Sequence, residues 1–123
     1  MNKPKTILVV DDSEPIRQAI SYMVRGWGFN VLIGVDGNDA LKHFNGTPID
    51  LVITDLHMPN IDGIGLIEEV RKINEYSRVP ILVLTTESQV SIKMRAKQAG
   101  ATGWIVKPFD ADKLIRIIKK VLR

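Results

Sequence analysis

Five times along the chain a short apolar run gives way to a longer amphipathic one, and this alternation leaves few folds open. The apolar runs cover residues 6–10, 30–35, 51–54, 80–84 and 103–106. Each is rich in β-branched residues and nearly continuous, the pattern of strands covered on both faces. Between the first two, Ser13 is the expected N-cap of a helix carrying Ile16, Ile20, Met23, Val24 and Trp27 inward, with Gly28 as its stop. Further helices are expected over 36–44, 63–73, 88–99 and 110–122. The last turns Leu114, Ile117, Ile118 and Val121 inward and Lys113, Arg116, Lys119 and Lys120 outward. The alternation predicts an α/β (βα)5 fold, a doubly wound five-stranded parallel sheet with helices on both faces.

In open sheets of this kind, ligands bind at the carboxyl ends of the strands. Those ends carry unusual residues here. The first expected strand runs into Asp11-Asp12, the third into Asp55, the fourth into Thr85-Thr86 and the fifth into Lys107-Pro108. A carboxylate at the tip of a buried strand is costly unless something pairs with it. If three converge, like charges ~5 Å apart repel by roughly 3 kcal/mol per pair at an effective dielectric of 20. Either one carboxylate stays protonated, or a hard cation sits among the oxygens, or Lys107 neutralises one. Mg2+ suits such a set best, since it takes oxygen ligands and keeps several waters. No EF-hand spacing points to calcium, and no His/Cys cluster points to zinc.

Composition narrows the remaining choices. The 123 residues are 45% apolar and 25% charged, the balance of a globule with a proper core, and they contain no cysteine for a disulfide or thiolate metal site. No apolar run approaches the ~18–20 residues of a membrane span. The N-terminal apolar stretch is short, runs straight into Asp11-Asp12 and has no small-residue cleavage site, so a cytoplasmic location is expected. Residues 1–92 carry eight Lys/Arg and twelve Asp/Glu, whereas 93–123 carry nine and two. That basic quarter reads either as the solvated faces of two helices or as a surface for an anionic partner.

Four motifs in order give a resemblance. D-D at 11–12, D-L-H-M-P-N-I-D-G at 55–63, T-T-E at 85–87 and K-P-F at 107–109 resemble the receiver domains of two-component response regulators. T-T-E-S and A-T-G-W-I-V-K-P-F are most similar to the single-domain chemotaxis regulators of the CheY subgroup. The resemblance covers the whole chain and implies one receiver domain over 1–123, with no output domain and the flavodoxin-like strand order 2-1-3-4-5. It implies Asp55 as phosphoacceptor, with a histidine kinase as phosphodonor. It also implies Mg2+ held by Asp12 and Asp55 directly, by Asp11 through a water, and by the backbone carbonyl of His57. Lys107 would place its ammonium on the phosphoryl oxygens, and Thr85 would donate its hydroxyl to one of them. As Thr85 moves, the switch aromatic, here Trp104, would turn inward and reshape the surface of 88–99, Trp104 and 110–122. Tyrosine or phenylalanine is more usual at that position. His57 and Glu87 occupy the positions that tune dephosphorylation. A cis peptide is implied at Lys107-Pro108.

The implied function is a phosphorylation-activated switch that docks on a target, the flagellar motor switch protein, with a phosphatase as a further partner. It would be a monomer without direct DNA binding or membrane insertion. It would not be an enzyme with a separate substrate, although it would catalyse its own phosphorylation and dephosphorylation. Alternatives are a receiver that relays or drains phosphate or regulates a kinase, and a small aspartyl-phosphate phosphatase. The phosphatase wants a second acid two residues past the nucleophile, where His57 stands. A nucleic-acid binder using helix 110–122 lacks a preceding helix-turn signal and interleaved aromatics.

Taken singly, these residues have plainer readings. Asp11-Asp12 could be a polar strand end capping a helix, Asp55 a loop carboxylate, Thr85-Thr86 a strand finish and Lys107-Pro108 a turn. The His57 ring is expected at the surface rather than on the metal, and His43 has no partner signal. Met58-Pro59 and Asp62-Gly63 read as loop and turn, and Trp27 with Phe29 as packing.

Overall fold

The computed structural model describes residues 3–122. Five parallel strands form one sheet: β1 (Thr6–Val10), β2 (Asn30–Gly34), β3 (Leu51–Thr54), β4 (Ile81–Thr85) and β5 (Gly103–Val106). Their order is β2-β1-β3-β4-β5, as expected. Helices α1 (Glu14–Gly26), α2 (Gly37–Leu41), α3 (Gly63–Lys72), α4 (Val90–Ala99) and α5 (Ala111–Leu122) link and follow them, and a short 3-10 turn spans Asn74–Tyr76.

Alternate side chains of each central strand enter opposite cores, which is why the strands read as continuous apolar runs. Leu8, Val10, Val52, Ile81 and Val83 meet Ala40 of α2, Leu66 and Ile67 of α3, and Ala96 of α4. Ile7, Val9, Leu51, Ile53, Leu82 and Leu84 meet Ile20 and Val24 of α1 and Leu114 and Ile118 of α5. Trp27 and Phe29 pack against this second cluster, as read from sequence.

The boundaries move from expectation for local reasons. β2 stops at Gly34 because the Val35 amide donates to Asp39 Oδ2 (3.0 Å). α2 ends at Leu41 rather than Phe44, since the amides of His43 and Phe44 close tight turns onto Ala40 and Leu41. β4 begins after Pro80, which has no N–H to give a ladder, and takes in Thr85, paired with Val106. α4 begins at Val90 because the amides of Ser88 and Gln89 are taken by the Glu87 carboxylate. Ser13 holds the N-cap position of α1 but makes no side-chain capping bond; its amide donates to Asp11 Oδ1 instead (2.8 Å). His43 does have a partner: its Nε2 donates to the Ile33 carbonyl of edge strand β2 (2.9 Å). Among the described residues, no helix is long and apolar enough to cross a membrane.

Candidate functional site

The strand order reverses at β1 and β3, and their carboxyl ends open beside each other. There Asp11, Asp12 and Asp55 each place a carboxylate oxygen within 4.8 Å of the others. Asp11 is buried at 1% exposure. Its Oδ1 accepts from the Ser13 amide, and its Oδ2 from Lys107 Nζ at 3.0 Å. Asp55 accepts from the Leu56 amide at 2.7 Å through Oδ1 and lies 3.5 Å from Lys107 Nζ through Oδ2. Lys107, joined to Pro108 by a cis peptide, thus bridges two acids from the end of β5. Asp12 is exposed, and among the described residues no protein donor reaches its carboxylate.

Charge settles what else such a site can take. Three carboxylates against one ammonium leave excess negative charge, and the donor set is oxygen only. An exposed carboxylate beside two sheltered ones leaves room for a cation that keeps part of its water. The residues fit a hard divalent ion of the Mg2+ kind, and neither histidine nor cysteine belongs to the cluster.

The other expected site residues lie around this cluster. Thr85, fully buried at the end of β4, accepts from the Glu87 amide at 3.3 Å. Glu87 joins two sides of the site. Its Oε1 lies 3.0 Å from His57 Nε2, and its carbonyl accepts from the Trp104 indole Nε1 at 3.2 Å. The Gln89 amide first, and then the His57 ring, hold the Glu87 carboxyl below its ordinary value, against a smaller effect of burial. The His57 side chain is 60% exposed, at the surface as read from sequence, yet engaged with Glu87. Trp104 is half-buried against the α2–α4 core. Its flank forms a groove of about 340 Å³ with Lys93, Met94, Lys97 and Ala101.

Two contacts had no signal in the sequence. The His57–Glu87 pair joins positions thirty apart. Arg17 Nη1 donates to the Asp11 carbonyl at 2.7 Å. Both depend on how far a side chain reaches across folded space, which neither periodicity nor motif spacing encodes.

A doubly wound sheet with this acid cluster, lysine and buried threonine at its carboxyl rim defines a response-regulator receiver. The chain belongs to the response regulator receiver domain family, whose model matches residues 7–119. The Vibrio cholerae chemotaxis protein CheY-3 is 36% identical over 122 residues, covering 98% of this chain and 94% of that protein. The structure of CheY4 from Vibrio cholerae superposes with a TM-score of 0.93 at 38% identity, covering 98% of this chain and 100% of that one. The transcriptional regulatory protein ZraR of Salmonella typhimurium is 37% identical over 116 residues, 94% of this chain, which spans about a quarter (26%) of ZraR's length. Phosphorylation-dependent signalling is the function of this class.

Proposed function

We propose that the chain is a phosphorylation-activated switch that takes a phosphoryl group on Asp55 from a histidine kinase and then docks on a target. The observation that carries this reading is the Asp11–Asp12–Asp55 cluster bridged by Lys107. In the transfer, an Asp55 carboxylate oxygen forms a bond to phosphorus as the bond from phosphorus to the kinase imidazole nitrogen breaks. The electron pair of that bond stays on the imidazole, which takes a proton from solvent. Bound Mg2+ would neutralise charge on the phosphoryl oxygens, where positioning and electrostatics supply most of the catalysis. Asp12 and Asp55 would hold it directly, Asp11 through a water, and the His57 carbonyl would complete the set.

The chain's own residues do the rest. Lys107 starts between Asp11 and Asp55 and turns its ammonium onto the phosphoryl oxygens as a point charge. The Thr85 hydroxyl, now an acceptor for the Glu87 amide, donates to the phosphoryl group and alters that loop. The Trp104 indole, bonded to the Glu87 carbonyl, moves with it and reshapes the face of α4, Trp104 and α5. His57 and Glu87, in contact over the mouth of the site, govern how water reaches the acyl phosphate during dephosphorylation. Similarity to CheY-3 over nearly its whole length supports a chemotaxis role, with the flagellar motor switch as target and a phosphatase as a further partner. The protein acts in the cytoplasm as a monomer and turns over no separate substrate.

Incubation with acetyl phosphate tests this reading. An acid-stable, base-labile adduct should form only with Mg2+, vanish in Asp55→Asn and need far more metal in Asp12→Ala. An adduct that forms without metal, or that survives Asp55→Asn unchanged, would overturn the mechanism. Rapid phosphate release from unrelated phosphomonoesters would make the protein a phosphatase instead.

A further inference from the structure

Arg17 lies beside the acidic cluster, and the chemistry above gives it no part. Its backbone makes the first bond of α1, from its amide to the Ser13 carbonyl at 2.9 Å. Its side chain folds back over that turn, and Nη1 donates to the Asp11 carbonyl at 2.7 Å. The start of a helix disfavours a cation, because the unpaired amides there already carry partial positive charge. Among the described residues no carboxylate lies within ion-pairing distance of Arg17. The guanidinium of this half-buried residue is therefore held by a backbone oxygen rather than by a counter-charge.

That oxygen belongs to the peptide joining the two acids. The Asp11 carbonyl and the Asp12 amide share one rigid plane, so fixing the first fixes the direction in which Asp12 leaves the strand. Asp11 has further anchors: its amide donates to the Gly34 carbonyl at 3.2 Å, and its carboxylate is held by Ser13 and Lys107. Asp12 has none on its side chain among the described residues, so its aim toward Asp55 comes through its backbone. We propose that Arg17 is a positioning residue for divalent-cation binding, fixing the Asp11–Asp12 peptide and with it the direction of the Asp12 carboxylate. This rests on reading the cluster as a Mg2+ site.

The sign of one measurement separates positioning from bare charge. A nearby cation repels Mg2+, so loss of the Arg17 charge alone would tighten binding. Loss of a group that orients a ligand weakens it, typically by tenfold or more. Mg2+ is titrated calorimetrically into the full chain without phosphodonor, for wild type, Asp12→Ala, Arg17→Met and Arg17→Lys, with thermal melts alongside. Arg17→Met should bind Mg2+ about tenfold more weakly while melting as a folded domain. Arg17→Lys keeps the charge but loses the planar fork, and should fall between it and wild type. Affinity of Arg17→Met within twofold of wild type, or tighter, overturns the proposal. Should Arg17→Met not fold, Arg17→Lys decides by the same twofold limit. If wild type and Asp12→Ala bind Mg2+ equally, the metal reading itself falls, and this proposal with it.

Discussion

Asp12 brings to the acidic cluster a charge that no protein donor among the described residues offsets, so its cost to stability falls on the folded state. Two like charges 4.8 Å apart, the limit within which the cluster oxygens lie, repel by roughly 1 kcal/mol in water and roughly 3.5 kcal/mol at a dielectric of 20. Exposure of Asp12 places the effect near the lower figure. Asp12→Ala should therefore stabilise the metal-free protein by about 1–2 kcal/mol, seen as a higher urea midpoint in EDTA at unchanged slope. Millimolar Mg2+ should shrink or reverse that gain, because the ion stabilises only the form that binds it. A lower midpoint in EDTA would mean that Asp12 supports the fold in some way other than through its charge. The acids, Thr85 and Lys107 were legible in the sequence because each breaks the apolar pattern at a strand end. Arg17 was not, because an arginine on an amphipathic helix looks the same whether it faces water or reaches back to a carbonyl.

At the scale of elements, α3 is coupled to the end of β3, at Asp55, by close backbone contact. A Cβ on Gly63, the first residue of α3, would fall 2.5 Å from the Asp55 carbonyl oxygen and 2.9 Å from Leu56 Cα. Helix propensity favours alanine over glycine by about 1 kcal/mol, but the contact is with backbone that cannot rotate away. Overpacking of this kind costs about 1–3 kcal/mol, so Gly63→Ala should lower the urea midpoint. It should also slow adduct formation, because the displaced atoms carry Asp55, the proposed phosphoacceptor. An unchanged midpoint with an unchanged rate would show that α3 shifts independently of β3. Another tie joins α3 to the end of α4. Arg71 donates through Nε and Nη2 to the Gly100 carbonyl and through Nη1 to that of Tyr76, and burial alone lowers its pKa. Element types and their succession along the chain were legible from periodicity and the strand order in the sheet from the family resemblance, whereas ends set by a single side chain, such as Asp39 at Val35 or Glu87 before α4, were not.

For the molecule as a whole, the proposed switch requires chemistry at the sheet rim to reach a face built from α4, β5 and α5. Lys93, Arg95 and Lys97 of α4 and Lys113, Arg116, Lys119 and Lys120 of α5 are all exposed, and among the described residues none has an acid within 4.0 Å. Apart from Lys107, which pairs with Asp11 and Asp55, the basic quarter seen in the sequence is thus a solvated surface without ion-pair partners among the described residues. The path to it is short: Thr85 Oγ1 to the Glu87 amide, and the Glu87 carbonyl to the Trp104 indole. A phosphoryl group need only favour one of two arrangements of this path by a few kcal/mol. Trp27 packs in the other core, across the sheet, so Trp27→Phe leaves Trp104 as the sole indole reporter. In that background, acetyl phosphate with Mg2+ should change Trp104 emission and its access to quenchers. Thr85→Ala should still form the adduct, because Asp55, the other two acids and Lys107 remain. Its Trp104 signal should stay at the unphosphorylated value, since the hydroxyl that would turn to the phosphoryl group is gone. A full Trp104 response in phosphorylated Thr85→Ala would mean that the loop is moved by some other contact, with the His57–Glu87 pair the next to test.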